Sequence, residues 1–137
     1  MYKFESASTQ AEWEKFLKIL LPRFETIRLL CESKTEDNIM ALKKRLMEYE
    51  SAENFLSYHY SDAMAFYKVA LAQEWRAQPE FKSIFEKNAR AQVEMRAIEP
   101  EAVLERFDRL IKGLANTQTA LQTAVKIEEA LLDRRLE

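Results

Sequence analysis

The side chains best able to act as nucleophiles, general bases or soft metal ligands are scarce in this sequence. His59 is the single histidine and Cys31 the single cysteine. A nucleophilic pair needs a base beside the nucleophile and a third group that orients the base. His59 instead lies between Tyr58 and Tyr60 on a helical stripe of alanines. We expect a hydrogen-bonded core or interface histidine there, and a small core residue at Cys31.

Metal and cofactor sites are not predicted either. A structural zinc site takes about four Cys, His or carboxylate ligands, and glycine-rich phosphate loops need several glycines, whereas Gly113 is the single glycine. No E-x-x-H pair suits a di-iron bundle. Paired carboxylates such as Glu48 with Glu50 and Glu128 with Glu129 are typical of solvated helix faces. We therefore expect a protein that is not an enzyme and holds no metal or cofactor.

Basic and aromatic side chains are interleaved between residues 68 and 98. This segment has six basic and four acidic side chains, hence +2, whereas residues 1–67 and residues 99–137 each carry −2. Proteins that bind single-stranded nucleic acid combine cations that follow the phosphates with aromatic rings that stack on bases. The predicted contact residues are Lys68, Trp75, Arg76, Lys82, Lys87 and Arg90.

The same segment also has a purely structural interpretation. Trp75 and Phe85 would clamp two helices together, and the charges would form ordinary pairs along the helices. The whole chain has 23 acidic and 21 basic residues, whereas a duplex-DNA binder usually carries a basic excess. The sequence leaves both interpretations open.

The composition predicts an all-α fold. One glycine, three prolines and no Asn-Gly or Asp-Gly pair argue against hairpins of β-strands. We expect a single domain over 1–137: N-terminal helices over 1–50, a hairpin over 52–98 with its turn near 79–83, and a long C-terminal helix over 100–135. The hairpin is predicted to be antiparallel and coiled-coil-like. The single cysteine, a first segment unlike a signal peptide, and no apolar run of about 18–20 residues predict a cytoplasmic protein.

Capping and proline signals predict the first helix and its break. Thr9 followed by Glu12 matches a capping box. Pro22 clashes with the carbonyl four residues earlier, so we expect a kink or a break there. A second helix is expected to begin near Thr35 or Glu36.

Similar signals predict the later boundaries. The second helix is expected to run to Gln78, before Pro79. Ser83 followed by Glu86 is another capping box, so a third helix should begin near Ile84. Pro100 marks either a boundary or a kink.

Apolar and small residues alternate three and four apart in two stretches, as in a heptad repeat. The first seam carries alanine at every seventh position from residue 63, which lets a partner helix approach closely; it comprises Ala52, Leu56, His59, Ala63, Phe66, Ala70, Gln73 and Ala77. The second seam is predicted to be an oligomer interface and comprises Leu104, Phe107, Ile111, Leu114, Gln118, Leu121 and Val125. Gln118 either sets the register of assembly or faces solvent.

From Tyr58 to Arg135 the chain resembles the helical-hairpin proteins of phage recombination systems, in the manner of UvsY-type recombination mediators. The resemblance rests on Ala63-x-x-x-Tyr67-Lys68-x-Ala70-Leu71-Ala72-x-Glu74-Trp75 and on Lys82-Ser83-x-x-Glu86-Lys87-x-Ala89-x-Ala91. A return helix with Leu110, Leu114 and Leu121 follows. The first 50 residues have no counterpart in it.

The resemblance implies a homo-oligomer that binds single-stranded DNA and helps to load a recombinase onto it. Lys68, Arg76, Lys82, Lys87 and Arg90 would then contact phosphates and Trp75 would stack on a base. The alternative hypothesis is a protein–protein adaptor or inhibitor that binds a host or phage protein, such as an anti-host factor, a secretion chaperone or an assembly subunit. Its basis is the mixed-sign charge and the aromatic residues around Tyr58 and Tyr60, which are typical of interface anchors.

Overall fold

The computed structural model describes residues 1–33, 38–79 and 83–136, and these form four helices. The helices are α1 (Ala7–Glu32), α2 (Ile39–Ala77), α3 (Ile84–Met95) and α4 (Glu99–Leu136). The described residues contain no β-strand. The predicted all-helical bundle is confirmed.

Helix α2 lies at the centre of the bundle and runs antiparallel to α4. The ring of Tyr60 packs edge-on against Phe107 with centroids 5.7 Å apart, and Lys43 Nζ lies 3.0 Å from Glu129 Oε1. Contacts therefore progress in opposite directions along the two helices. Helix α1 is also antiparallel to α2, because its residues contact α2 in reverse order: Trp13 meets Phe66, and Arg23 meets Ser51.

Helix α3 packs beside the C-terminal part of α2. Tyr67 Oη lies 3.3 Å from Gln92 Oε1, and Lys87 lies over the ring of Trp75. After a turn at residues 96–98, α4 continues along α2. The two arms of the predicted hairpin are thus neighbours, while its coiled-coil-like geometry stays a prediction.

The core combines large side chains of α1 and α4 with the first seam of α2. Phe24 packs edge-on against Phe107 with centroids 4.8 Å apart. Ala63 and Ala70 of the seam are at most 1% exposed, so small residues there allow the other helices to approach α2 closely. Ala77 is the exposed member of the seam, because it is the last residue of α2.

The N-terminal segment, residues 1–5, is held against the bundle by the buried side chain of Gln73. Gln73 Oε1 accepts a hydrogen bond of 3.0 Å from the Glu5 backbone N–H. Its Nε2 donates to Tyr2 Oη at 3.3 Å and to the Lys3 carbonyl at 3.4 Å. Because the amide of Gln73 is bonded at both ends, a polar residue is tolerated on an otherwise apolar seam.

Glu99 connects this segment to α1 and to the start of α4. Its Oε1 accepts from the Trp13 indole N–H at 2.8 Å and from the Tyr2 backbone N–H at 3.1 Å. Trp13 is fully buried, so its N–H needs an acceptor within the protein. Phe4 packs edge-on against the Trp13 ring and covers it.

One prediction about α1 is wrong, and another is narrowed. Its N-cap is Ser6, whose Oγ accepts from the Thr9 backbone N–H, so Thr9 is not the cap; residues 1–5 are docked on the bundle, which places the helix start three residues earlier. Of the kink or break expected at Pro22, the break does not occur, because the helix continues through the proline; the kink stays a prediction. Leu20 and Phe24 are both fully buried, so packing on either side of the exposed proline holds the helix together despite the lost hydrogen bond.

The other boundaries agree with prediction where they can be compared. Ser83 caps α3, with its Oγ accepting from the Glu86 N–H at 3.2 Å. Residues 96–98 form the boundary before Pro100, which lies in the first turn of α4. Helix α2 ends at Ala77 and begins at Ile39 with Asn38 as its cap. The predicted start at Thr35 or Glu36 and most of the predicted turn, residues 80–82, lie outside the described residues.

Replacing Glu99 by alanine should destabilise the whole bundle. The substitution leaves the N–H groups of Trp13 and Tyr2 without their acceptor, at a cost of about 1–3 kcal/mol in the free energy of unfolding. Urea denaturation followed by circular dichroism would measure it. Glu105→Ala, at an exposed position of the same helix, is the matched control and should change stability by less than about 0.5 kcal/mol.

The docked N-terminal segment should also make stability fall at high pH. Burial, together with the hydrogen bond from Tyr2 Oη to Glu74, raises the pKa of Tyr2 from 10.0 to about 12. The neutral phenol therefore stabilises the fold below pH 10, and this contribution is lost as the pH rises towards 12. The difference in unfolding free energy between the natural chain and Tyr2→Phe should narrow between pH 8 and pH 11; a constant difference would contradict the prediction.

Candidate nucleic-acid interface

A groove of about 560 Å³ lies between α2 and α3. Residues 68, 71, 72 and 75 share one side of α2 because they recur every three or four positions. On α3 the fully buried Ala91 lines the groove, and its small side chain lets the helix approach α2. The groove is lined by Lys68, Leu71, Ala72, Trp75, Asn88, Ala91 and Gln92.

Lys87 covers one face of the Trp75 ring in this groove. Its Nζ lies 3.9 Å from the ring centroid, within the range of an attractive cation–π contact. Trp75 is half-buried, so its ring combines an apolar contact with the helices and an accessible part. A cation thus occupies the surface on which a planar aromatic ligand would stack.

The structure brings some of the predicted contact residues together and separates others. Lys68 and Trp75 line the groove, and Lys87 lies over the Trp75 ring. Arg76 is exposed on α2 and forms an ion pair of 3.5 Å with Glu5 of the N-terminal segment. Arg90 is exposed on α3 and does not line the groove. Lys82 lies outside the described residues.

The interpretation that Trp75 and Phe85 clamp two helices together is correct for Trp75 and wrong for Phe85. Trp75 does join α2 to α3, through its contact with Lys87. Phe85, in the first turn of α3, is 81% exposed. It therefore clamps nothing within the described part of the chain.

Sequence reasoning missed the two amides of the groove, Asn88 and Gln92. They lie four residues apart on α3 and face the groove from the same side. Gln92 Oε1 also accepts a hydrogen bond of 3.3 Å from the Tyr67 hydroxyl. Amide groups both donate and accept hydrogen bonds, as the edges of bases require. Their four-residue spacing, which places both on one side of the helix, was the signal that could have revealed them.

His59 and Cys31 have the packing roles of core residues. The His59 ring packs on Phe55 and Phe16, with centroids 4.5 and 5.9 Å away, but its buried Nδ1 has no hydrogen-bond partner, so the expected hydrogen bond is missing at that atom. Cys31 packs against the core cluster, and burial, with a smaller effect of Glu32, raises the pKa of its thiol. Over residues 1–33, 38–79 and 83–136, no three His, Cys, Asp or Glu side chains are grouped to hold a metal ion.

The second seam lies mostly inside this chain. Phe107 and Leu114 are fully buried, and Leu104 and Val125 are 8% exposed. Leu121 and Gln118 are partly covered, and Ile111 is 40% exposed. The covered residues contact the protein's own helices, so a partner would meet mainly Ile111 on the intact fold. The role of the seam in assembly stays a prediction.

Comparisons with known proteins indicate no function for this chain, so its geometry is the basis for assigning one. The chain matches no protein-family model, no curated protein and no solved structure. Among the described residues, no helix is both long and apolar enough to traverse a bilayer.

Replacing Lys87 by methionine tests the contact that organises the groove. The ammonium is lost while a long apolar side chain remains, so the unfolding free energy should fall by about 0.5–1 kcal/mol. Quenching of tryptophan fluorescence by acrylamide should also increase, because Trp75 loses cover while Trp13 stays fully buried. Arg90→Met, on the exposed side of the same helix, is the control; equal quenching in both variants would contradict the assignment.

Proposed function

We propose that this protein is a non-enzymatic helical binding protein that takes up single-stranded DNA in the groove between α2 and α3. The observation that carries the proposal is that Lys68 and Trp75 line one groove, with Lys87 placed over the Trp75 ring. Proteins that bind single strands without strong sequence preference use this combination of cations and an aromatic ring.

A base would stack on Trp75 in place of the Lys87 ammonium. The displaced ammonium would then be free to pair with a phosphate, and Lys68 would contact a neighbouring phosphate at the other end of the groove. Leu71 and Ala72 would supply an apolar wall for the base. Asn88 and Gln92 would hydrogen-bond to its edge, a weak and sequence-tolerant form of recognition.

The resemblance to UvsY-type recombination mediators extends this proposal to a biological role. It supports a phage-derived homo-oligomer that binds single-stranded DNA and assists a recombinase. In that role the exposed Arg76 and Arg90 would extend the phosphate contacts beyond the groove. The Arg76 guanidinium would exchange its exposed ion pair with Glu5, which contributes little stability, for a DNA phosphate.

The second candidate function is a protein–protein adaptor that binds a host or phage protein. Its specific support is the exposure of large apolar side chains. Tyr58 is 75% exposed and Phe85 81% exposed, and aromatic side chains are frequent anchors of protein interfaces. Neither residue lines the α2–α3 groove, so the two functions can be separated by mutation.

Charge reversal in the groove should weaken DNA binding specifically. Binding of a fluorescent single-stranded oligonucleotide, measured by anisotropy at several salt concentrations, should weaken more than tenfold in Lys68→Glu/Lys87→Glu. Loss of two phosphate contacts should make the slope of log affinity against log salt shallower by about 1.4. The matched control is Lys15→Glu/Lys112→Glu, which changes net charge equally at exposed positions outside the groove.

The outcomes separate the candidate functions. Equal weakening in both double variants would show that only overall charge matters and would contradict the groove. Trp75→Ala should also weaken binding, with the salt slope unchanged, because stacking involves no counterion release. No oligonucleotide binding at low salt, with a protein partner lost on Tyr58→Ala, would favour the adaptor.

A further inference from the structure

A pocket of about 420 Å³ lies between α1 and α2. The two helices are antiparallel, so residues 23–30 of α1 face residues 45–52 of α2. Small side chains at Ser51 and Ala52 leave the space between the helices unfilled. The walls are mostly apolar, with Ile27 and Leu30 on the α1 side. A cavity of this size and lining is typical of small-molecule sites.

One end of the pocket presents the guanidinium of Arg23. Its Nη2 donates a hydrogen bond of 3.3 Å to Ser51 Oγ, and its Cζ lies 5.4 Å from the centroid of the Phe55 ring. Over residues 1–33, 38–79 and 83–136, Arg23 forms no ion pair, and its buried Nε has no hydrogen-bond partner. Neighbours from α2 thus hold a half-buried cation in place without a counter-charge, which favours an anionic ligand.

Two further charged side chains line the pocket, and the three together sum to +1. Arg45 lies at the opposite end, where its Nη1 donates to the Leu30 carbonyl at 3.3 Å and to Ser33 Oγ at 2.6 Å. These contacts place a cation at the C-terminal end of α1, where it also stabilises the helix. Glu48 lines the wall about one turn of α2 before Ser51 and forms no ion pair with Arg23.

We propose that this α1–α2 pocket binds a small organic anion, a monocarboxylate with an apolar chain. The carboxylate would accept hydrogen bonds from the N–H groups of Arg23 that Ser51 does not use, and such bonds are strong because both partners are charged. The chain would lie against Ile27, Leu30 and Ala52. Residue 52 precedes Lys68 by about 24 Å along α2, and the pocket shares no lining residue with the α2–α3 groove. The inference therefore does not rest on DNA binding.

The lining favours this class of ligand over three others. A bare inorganic anion would bury none of the apolar surface of Ile27 and Ala52, so it would gain nothing from the hydrophobic effect. A cationic ligand would meet the net positive charge of the pocket and the uncompensated Arg23. A helix of a partner protein is about 10–12 Å across with its side chains, which is too wide for a space of about 420 Å³.

Three probe molecules separate the contributions of head group and chain on the full-length protein. Octanoate has both the carboxylate and the chain, acetate has only the carboxylate, and octylammonium carries the chain with the opposite charge. Isothermal titration calorimetry at pH 7 should detect octanoate with a dissociation constant on the order of 0.1–1 mM, as expected for about ten non-hydrogen atoms. Acetate and octylammonium should each bind about tenfold more weakly or worse.

Three variants locate the binding site. Arg23→Gln should weaken octanoate binding by about tenfold or more, because a hydrogen bond to a charged partner is lost. Arg109→Gln removes the same charge from an exposed position on α4 and should leave binding unchanged. Thr26→Trp keeps Arg23 but places a large ring at the exposed rim of the pocket, so it should block octanoate. Circular dichroism would show that each variant is folded.

Several results would overturn the proposal. Absence of octanoate binding to the natural chain at millimolar concentration would exclude the site. Equal binding of octylammonium would show that the head group is not recognised, and equal binding of acetate would show that the chain is not. Equal weakening in Arg23→Gln and Arg109→Gln, or full binding in folded Thr26→Trp, would place the ligand elsewhere. The groove variant Lys68→Glu/Lys87→Glu should bind octanoate normally, so failure of DNA binding and failure of this site are distinguishable.

Discussion

The buried indole of Trp13 imposes the constraint on which much of this fold depends. A fully buried N–H must find an acceptor inside the protein, and Glu99 supplies it across 2.8 Å. The same carboxylate oxygen accepts from the backbone of Tyr2, so one group holds the N-terminal segment, α1 and the start of α4 together. The turn at residues 96–98 is thereby set in place, and with it the position of α3 along α2.

Helix α2 serves two different surfaces through residues only a few positions apart. Its seam alanines bring α1 and α4 close, and Gln73 on the same seam binds the N-terminal segment. Nearly half a turn away around the helix, Lys68 and Trp75 form a wall of the groove with α3. A long helix can contribute to both surfaces because its side chains point outward all around its axis. The residues that pack in the core are therefore different from those that line the groove.

Helix α3 has an inner and an outer side with different chemistry. Its inner side carries Ala91 in the contact with α2 and Lys87 above Trp75. Elsewhere on its surface it exposes Phe85 and Val93. A base stacked on Trp75 would act on the inner side.

Local signals in the sequence determined the helical class and the first seam of α2, because both follow from composition and periodicity. They also determined the Ser83 cap of α3 and the boundary near Pro100, because each depends on a few neighbouring residues. They also singled out Lys68, Trp75 and Lys87, which share a basic and aromatic segment. Tertiary structure alone decided the rest. Residues 1–5 dock through Gln73 and Glu99, which are distant in sequence. The N-cap of α1 is therefore Ser6 and not Thr9. Packing of the residues around Pro22 keeps α1 continuous there. Packing also buries most of the second seam inside the chain. Periodicity shows that a helix has an apolar side but not what covers it; that depends on which helices meet, as the covered Phe107 and the exposed Phe85 show.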